Sequence, residues 1–487
     1  MIPRAEDLIL KEKVKLYNNL ATINDCQGRL SAELEIYPTP RVIWEFEVLG
    51  EPKGKFPYGA GWGIDSLDSF TGYSFLIEKP ICTGSSSSIG PLEALRGITK
   101  QAVFGELQHS ANSFIFYLPN TQFHRKRARQ SCIIKSLKDS SNNKEVALGE
   151  EGRYVASSID DVWDVRLEIG KAALEWLNPR NENIGTFITT IGQLRQSGFD
   201  ASNPQTFSNS KVITLHDALK RIKYLCWLFS YANGGYIGPL YIEGYQAPQD
   251  ESDTRHLSCA IAIESRTTPL ERIGHSWLTE SSDLNKFLSC FSTFERMMQI
   301  PEWEETFSFT LAQYFQAIQP DQVGWAIRAS AIGVALERLT YMILVEEETD
   351  TQKKDEYKLL FNNQKNGGER RSYQQRWNRS EYQKKDGKQL SQTGIRLVCL
   401  LERIGITRYQ DADDIQALLN VRNDAVHPIS SEMTLERRSQ IIEKAIQWID
   451  EVLLWRIGYD GKYLDRSQTW EDSIVPRYDL ELRNSDW

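Results

Sequence analysis

Arg422, Asn423 and His427 stand close together in the string DDIQALLNVRNDAVHP, residues 413–428. Their side-chain types suit cleavage of an RNA phosphodiester. A histidine exchanges a proton near neutral pH, so it can take one from a ribose 2′-OH or return one to a departing 5′-oxygen. An arginine fork can clamp a phosphate and stabilise the charge gathering on its oxygens. An asparagine amide can orient a reacting group or donate to a phosphate oxygen. No metal is needed for this chemistry, because the 2′-OH is itself the nucleophile; DNA, which lacks it, would be refused.

The spacing works only on a helix. Ile415, Leu418, Leu419 and Val421 supply its apolar positions, and Asp413 and Asp414 put negative charge at its start, where the macrodipole favours it. At about 100° per residue, Asn423 and His427 lie one turn apart on one face, with Arg422 beside them. Pro428 disfavours helical geometry at His427 and so puts it at the helix end or in a break. The competing reading is a helix-ending histidine that caps carbonyls beside an exposed arginine.

The surrounding chain reads as α+β and multidomain: a β-rich N-terminal region (1–155), an α+β middle region (156–275), a helical bundle (276–460) and a tail (461–487). An amphipathic helix is expected at about 5–20. From Gly28 to Tyr154, runs such as RLSAELEIY, RVIWEFEVL, YSFLIEK, SFIFYLP and QSCIIKSL read as antiparallel strands, separated by turn-rich stretches such as GEPKGKFPYGAGWG and CTGSSSSIGP. In the middle region, TLHDALKRIKYLCWLFSYAN has helical spacing and ends on Asn233-Gly234-Gly235; two strands follow in YIGPLYIEGYQ and LSCAIAIES. The middle region can equally be a second part of the N-terminal module.

Helices dominate from about 283. LNKFLSCFSTFERMMQI carries Leu284, Phe287, Leu288, Phe291, Phe294 and Met298 on one face, and TFSFTLAQYFQAIQ follows. GWAIRASAIGVALERLTYMILVEEE reads as one nearly uninterrupted helix with Ile327, Ala331, Val334, Leu336, Leu339 and Ile343 as its apolar positions. Helices near 389–404 and 413–427 lead to the long LERRSQIIEKAIQWIDEVLLWRIG, and an up-and-down bundle is expected. The tail after about 460 is polar and aromatic and is expected to be extended or loosely packed.

A basic insertion, 361–388, interrupts the bundle. Lys365, Arg370, Arg371, Arg376 and Arg379, interleaved with Tyr373 and Trp377, form an RNA-binding candidate: cations hold phosphates and rings stack on unpaired bases. A solvated loop is the alternative. The run HRKRARQ (124–130) reads as a charge-protected edge strand or, second, a nucleic-acid contact. The glycine-rich stretch at 50–63 lacks the GxxxxGK[ST] pattern of a phosphate loop.

With a net charge of -9 the chain is no general polyanion binder, so nucleic-acid contact must be local. Seven cysteines, none in a CxxC pair, argue against a zinc site or a disulfide framework. No apolar run approaches the roughly 20 residues of a membrane span, and the N-terminus lacks a signal-peptide core. The expectation is a cytoplasmic protein with no membrane partner and no metal or cofactor.

Arg-Asn-x-x-x-His in a helical bundle resembles the signature of the HEPN ribonucleases of prokaryotic defence and toxin systems. The family's arginine, polar residue and histidine fall on Arg422, Asn423 and His427, and the resemblance covers about 283–457. The upstream string ALERL resembles a family helix bearing an acidic residue, here Glu337. The layout of a β-rich module before the bundle, with the segment LFSYANGGYIGPLYIEGY, resembles the ApeA-type anti-phage proteins. This resemblance implies a homodimer or higher homo-oligomer through the bundle, with two motifs facing across a helical interface. It implies cleavage of RNA to a 2′,3′-cyclic phosphate and a 5′-hydroxyl. It also implies an abortive-infection or toxin role, with the N-terminal region sensing a trigger of phage origin. Two other readings are a non-catalytic RNA-binding scaffold on the same bundle, and a β-region ligand-binding regulator that the bundle dimerises.

Overall fold

A computed structural model describes residues 13–23, 26–35, 40–49, 70–72, 75–78, 81–86, 94–99, 101–104, 110–121, 154–158, 163–169, 188–196, 212–246, 256–269, 272–278, 284–319, 324–361, 377, 382–384, 386–406, 412–426, 433–466 and 482–483. The chain divides into two compact units: Met1–Ser230 with Tyr236–Glu271, and Tyr231–Gly235 with Arg272–Trp487.

In the first unit the strands are β1 (Lys13–Ile23), β2 (Cys26–Glu35), β3 (Arg41–Val48), β4 (Phe70–Gly72), β5 (Phe75–Glu78), β6 (Ile81–Ser86), β7 (Ala94–Thr99), β8 (Gln101–Phe104), β9 (Ser110–Ala111), β10 (Ser113–Pro119), β11 (Tyr154–Ser158), β12 (Trp163–Ile169), β13 (Ile188–Gln196), β14 (Ile213–Thr214), β15 (Tyr241–Gln246) and β16 (His256–Ile263). All but β9 and β14, which pair with each other, join one antiparallel sheet. Its order is β11-β12-β13-β10-β15-β16-β8-β5-β4-β1-β2-β3-β7-β6. Alternation builds it: on β3, Val42, Trp44 and Phe46 are buried while Glu45 and Glu47 are exposed. The middle region is not a separate body, because β10 pairs with both β13 and β15, and β16 pairs with β8. The sequence pattern of 214–233 becomes α1 (Leu215–Asn233), followed by Gly234 at φ +80, a left-handed geometry that glycine adopts without strain.

The helix expected at about 5–20 is replaced from Lys13 onward by strand β1. A helix would align Leu16 with Leu20; instead Leu16 is buried and Leu20 is 62% exposed. Only Asn24 and Asp25 separate β1 from its partner β2, and their ladder runs from Ile23↔Cys26 to Lys13↔Glu35. That hairpin, whose ladder shifts register once between Lys15 and Tyr17, outweighs a weak helical periodicity. Ile81–Ser86, the head of a segment that reads as turn, pairs with β7. QSCIIKSL, HRKRARQ and the 50–63 loop lie outside the described residues.

Inside the sheet, Tyr117 and Tyr245 donate hydrogen bonds to Glu243 Oε2 at 3.3 and 2.8 Å. Glu243 Oε1 and the Tyr241 hydroxyl are buried without a hydrogen-bond partner. Burial raises the Glu243 pKa to about 7, against the pull of the two tyrosine hydroxyls. Because the folded pKa lies above the unfolded value of 4.5, the contribution of the neutral Glu243 is full below pH 4.5 and is lost as pH rises through about 7. Denaturant titrations from pH 4 to 8 should lose about 3 kcal/mol over that window, and Glu243→Gln should abolish the loss; a wild-type stability indifferent to pH there would contradict a buried, ionisable Glu243.

The second unit is helical: α2 (Leu284–Ser289), α3 (Phe291–Met298), α4 (Pro301–Ala317), α5 (Trp325–Tyr341), α6 (Thr351–Phe361), α7 (Gln392–Arg403), α8 (Ala412–Val426) and α9 (Leu435–Ile457). α5 is central and packs on α4, α7, α8 and α9. The expected helical run LNKFLSCFSTFERMMQI, 284–300, is broken at Cys290, although Phe287, Leu288, Phe291, Phe294 and Met298 are all buried. α5 is not uninterrupted either, since Met342–Glu346 continues it as a π-helical turn. Ile327 and Val334 are 56% and 38% exposed rather than core. Arg328 is buried instead, its Nε donating to the Ala317 carbonyl at 2.6 Å and its Nη2 meeting Glu443 Oε1 at 2.6 Å. Thr434 caps α9 by accepting from the Arg437 amide, and Gly458, at φ 74, ends it.

The tail is not loose at its start. Tyr459, Tyr463, Leu464, Asp465 and Arg466 are buried. Arg466 meets Asp450 Oδ2 at 2.9 Å, Glu443 Oε2 at 3.3 Å and the His275 carbonyl at 2.6 Å. Burial pushes the Asp450 carboxyl up in pKa, while Arg466 and the Tyr314 and Tyr231 hydroxyls pull it back. Among the described residues no helix is long and apolar enough to cross a membrane.

Candidate functional site

α8 carries the motif, and its own acids fix it against α9. Asp414 pairs with Lys444 and lies 3.7 Å from Arg437. Asp424 lies 3.8 Å from Arg438, whose guanidinium stacks 4.2 Å over the Trp325 ring at the start of α5. Held this way, α8 turns Arg422 toward α5. Its aliphatic stem crosses directly over Gly333: a Cβ there would stand 2.6 Å from Arg422 Cδ. A mid-helix glycine costs about 1 kcal/mol in helix propensity, and here it clears the path of the arginine.

One turn beyond Gly333, Glu337 receives two guanidinium groups on its two oxygens. Arg422 Nη2 is 3.4 Å from Oε2, and Arg396 Nη1, from α7, is 3.1 Å from Oε1. Arg396 is buried, its Nε donating to the Leu360 carbonyl at 2.8 Å and its guanidinium lying 4.3 Å over the Phe361 ring. Arg422 and Glu337 remain partly open, with 29% and 40% of their side chains exposed. Gly333, Leu336, Glu337, Arg396, Leu418 and Arg422 line a groove enclosing about 10 Å³, room for about one water. It is too small for a nucleotide; Arg422 is on its lining and Asn423, the next residue, is exposed.

The structure thus brings together Arg422 and Glu337, which lie 85 positions apart in the chain, and leaves Asn423 open beside them. α8 ends at Val426; His427, the next residue, lies outside the described residues, as do Lys365, Arg370, Arg371, Tyr373, Arg376 and Arg379.

Trp377 is placed, and it is not a stacking platform. It is 6% exposed, packed 5.7 Å from the Tyr382 ring and 6.4 Å from the Tyr357 ring. Its carbonyl accepts from Gln389 Nε2 at 2.7 Å. The indole stabilises the insertion by apolar burial, which outweighs the attraction of a solvent-facing aromatic among cations. Lys384 and Lys388 share Asp386 at 3.9 and 3.3 Å, which offsets part of the local positive charge.

Arg396 and Gly333 are absent from the sequence-based set. Each had a signal: an arginine inside the apolar run GIRLVCLL needs a buried partner, and a glycine inside IGVAL needs a reason for its cost.

A protein-family model described as the YopA C-terminal domain matches residues 392–476. The matched span includes α7, α8 and α9, hence Arg396, Arg422, Asn423 and His427, and excludes Gly333 and Glu337. No curated protein and no solved structure matches the chain.

Replacing Trp377 with alanine should cost about 3 kcal/mol of stability in urea denaturation. Intact stability would contradict that burial.

Proposed function

We propose that this chain is a metal-independent endoribonuclease of the HEPN kind, serving as a prokaryotic anti-phage or growth-arrest effector. The observation that carries the reading is the placement of Arg422: directed by Gly333 and Glu337 to the lining of a groove, with the exposed Asn423 next to it in the chain. An arginine in that place can receive a phosphate that lies across the groove.

In the reaction, the ribose 2′-oxygen attacks the adjacent phosphorus as its proton passes to a neutral His427. The phosphorus–O5′ bond breaks, the departing oxygen takes a proton from an imidazolium, and a 2′,3′-cyclic phosphate and a 5′-hydroxyl remain. Arg422 offsets the charge on the non-bridging oxygens and Asn423 orients the phosphate. A homodimer, which the family resemblance suggests, would supply one histidine for each proton transfer. The β-rich unit would hold the activity in check until a trigger of phage origin binds. Cytoplasmic residence fits that role.

The scaffold reading draws on one observation: Arg422 already has a carboxylate partner in Glu337, as a purely structural arginine would. The two readings part on activity. Purified wild-type chain should cut single-stranded RNA in excess EDTA, and His427→Ala or Arg422→Ala should each slow cutting at least 100-fold with unchanged melting behaviour. Equal cutting by wild type and both variants, or none by any of them during phage infection, would leave the scaffold.

A further inference from the structure

Arg422 has three determinants of direction, Gly333, Glu337 and Arg396, and all of them lie outside the Arg-Asn-x-x-x-His motif. Its stem passes over Gly333, where any Cβ would intrude at 2.6 Å. Its head meets Glu337, and Glu337 is on a half-exposed helix face with 40% of its side chain open. A glutamate so exposed has several rotamers of similar energy, and alone it would be a poor guide for another flexible side chain. What selects one rotamer is Arg396.

Arg396 is itself immobilised. It is 7% exposed, its Nε is spent on the Leu360 carbonyl at 2.8 Å, and its plane lies on Phe361, whose ring is in turn set 5.0 Å from Tyr341. The remaining edge of the fork presents Nη1 to Glu337 Oε1 at 3.1 Å. The other oxygen of the same carboxylate, Oε2, then faces Arg422 Nη2. A buried arginine would be an expensive way to hold one exposed acid if stability were the return, since exposed ion pairs yield only about 0–1 kcal/mol. Its fixed, planar donors suit it to setting an angle.

We infer that Arg396 is a positioning residue for Arg422, acting through Glu337, and that Gly333 is the clearance the same arrangement requires. Arg396 touches no substrate. It holds the carboxylate, the carboxylate holds the guanidinium of Arg422, and the phosphate clamp is therefore oriented before RNA arrives. The inference rests on the ribonuclease reading for its kinetic test alone.

That test is a double-mutant cycle on the full chain, cleaving a single-stranded RNA oligonucleotide. Arg396→Met should lower kcat on the order of 10–100-fold with little change in KM, and Arg396→Lys should restore only part of it. In an Arg422→Ala background Arg396→Met should have no further effect, because the residue acts through a side chain already removed. Gly333→Ala should match Arg396→Met without changing any charge. An equal loss from Arg396→Met in both backgrounds would overturn the inference, since it would place Arg396 on another route. Should Arg396→Met not fold, Glu337→Gln cuts the same relay at a half-exposed position and takes its place in the cycle. If the wild type cuts no RNA, the ribonuclease reading fails separately, and crystal structures of wild type and Arg396→Met decide. Arg422 displaced from the groove lining in the variant supports the relay; Arg422 unmoved refutes it.

Discussion

One carboxylate, that of Glu337, lies between two guanidinium groups drawn from different helices, and the site depends on it. Arg396 reaches it from α7 and Arg422 from α8, while Glu337 itself stands on α5. The pair to Arg422 is part-exposed and long, so it adds little to stability. On the ribonuclease reading proposed above, its value is directional. A side chain as flexible as arginine arrives at a phosphate in a useful geometry only if something has already restricted its rotamers, and a misplacement of about 1 Å costs a rate far more than a weak ion pair costs a fold.

Direction at the carboxylate requires that three helices keep their relative places, and the second unit fixes them with polar contacts as well as apolar ones. Arg328 on α5 meets Glu443 on α9, and Arg466 returns from the chain after α9 to the same glutamate and to Asp450. Burying these charges carries a desolvation penalty that their pairing does no more than offset, so the network is better understood as setting register than as supplying net stability. A shift of α5 along α9 by one turn would strand Arg328 and Glu443 in the core. Asp414 and Asp424 do for α8 on α9 what Glu443 does for α5, at lower burial.

The sequence displays its elements more clearly than their partners. Strand alternation at Val42–Glu47 and the apolar faces of Phe287–Met298 and Leu215–Asn233 are legible because burial of one face repeats with a fixed period. The β1 strand is not, because its Leu16–Leu20 spacing imitates a helix and only the β2 pairing, a non-local contact, decides against it. Ile327 and Val334 mislead in a similar way: hydrophobicity alone assigns them to the core, whereas the core takes Arg328 once Glu443 is there to pair with it. Arg422, Asn423 and Glu337 stand out by residue type. Arg396 and Gly333 stand out only as misfits in their own helices, since their roles exist only relative to side chains on other helices. The tail misreads as loose for the same reason: Tyr463 and Arg466 look like solvent-facing residues until Glu451 and Asp450 of α9 are placed against them.

The central claim is chemical, that the nucleophile is the 2′-oxygen of the RNA and the protein supplies a proton acceptor and an oriented phosphate clamp. The most direct measurement is cleavage of an RNA oligonucleotide alongside the same oligonucleotide carrying a single 2′-deoxy nucleotide 5′ to the mapped cut. The account predicts that cutting at that position disappears while other cuts persist, and that the wild-type product ends in a 2′,3′-cyclic phosphate. Undiminished cutting at the 2′-deoxy position, or a 3′-hydroxyl product from the unmodified RNA, would contradict it.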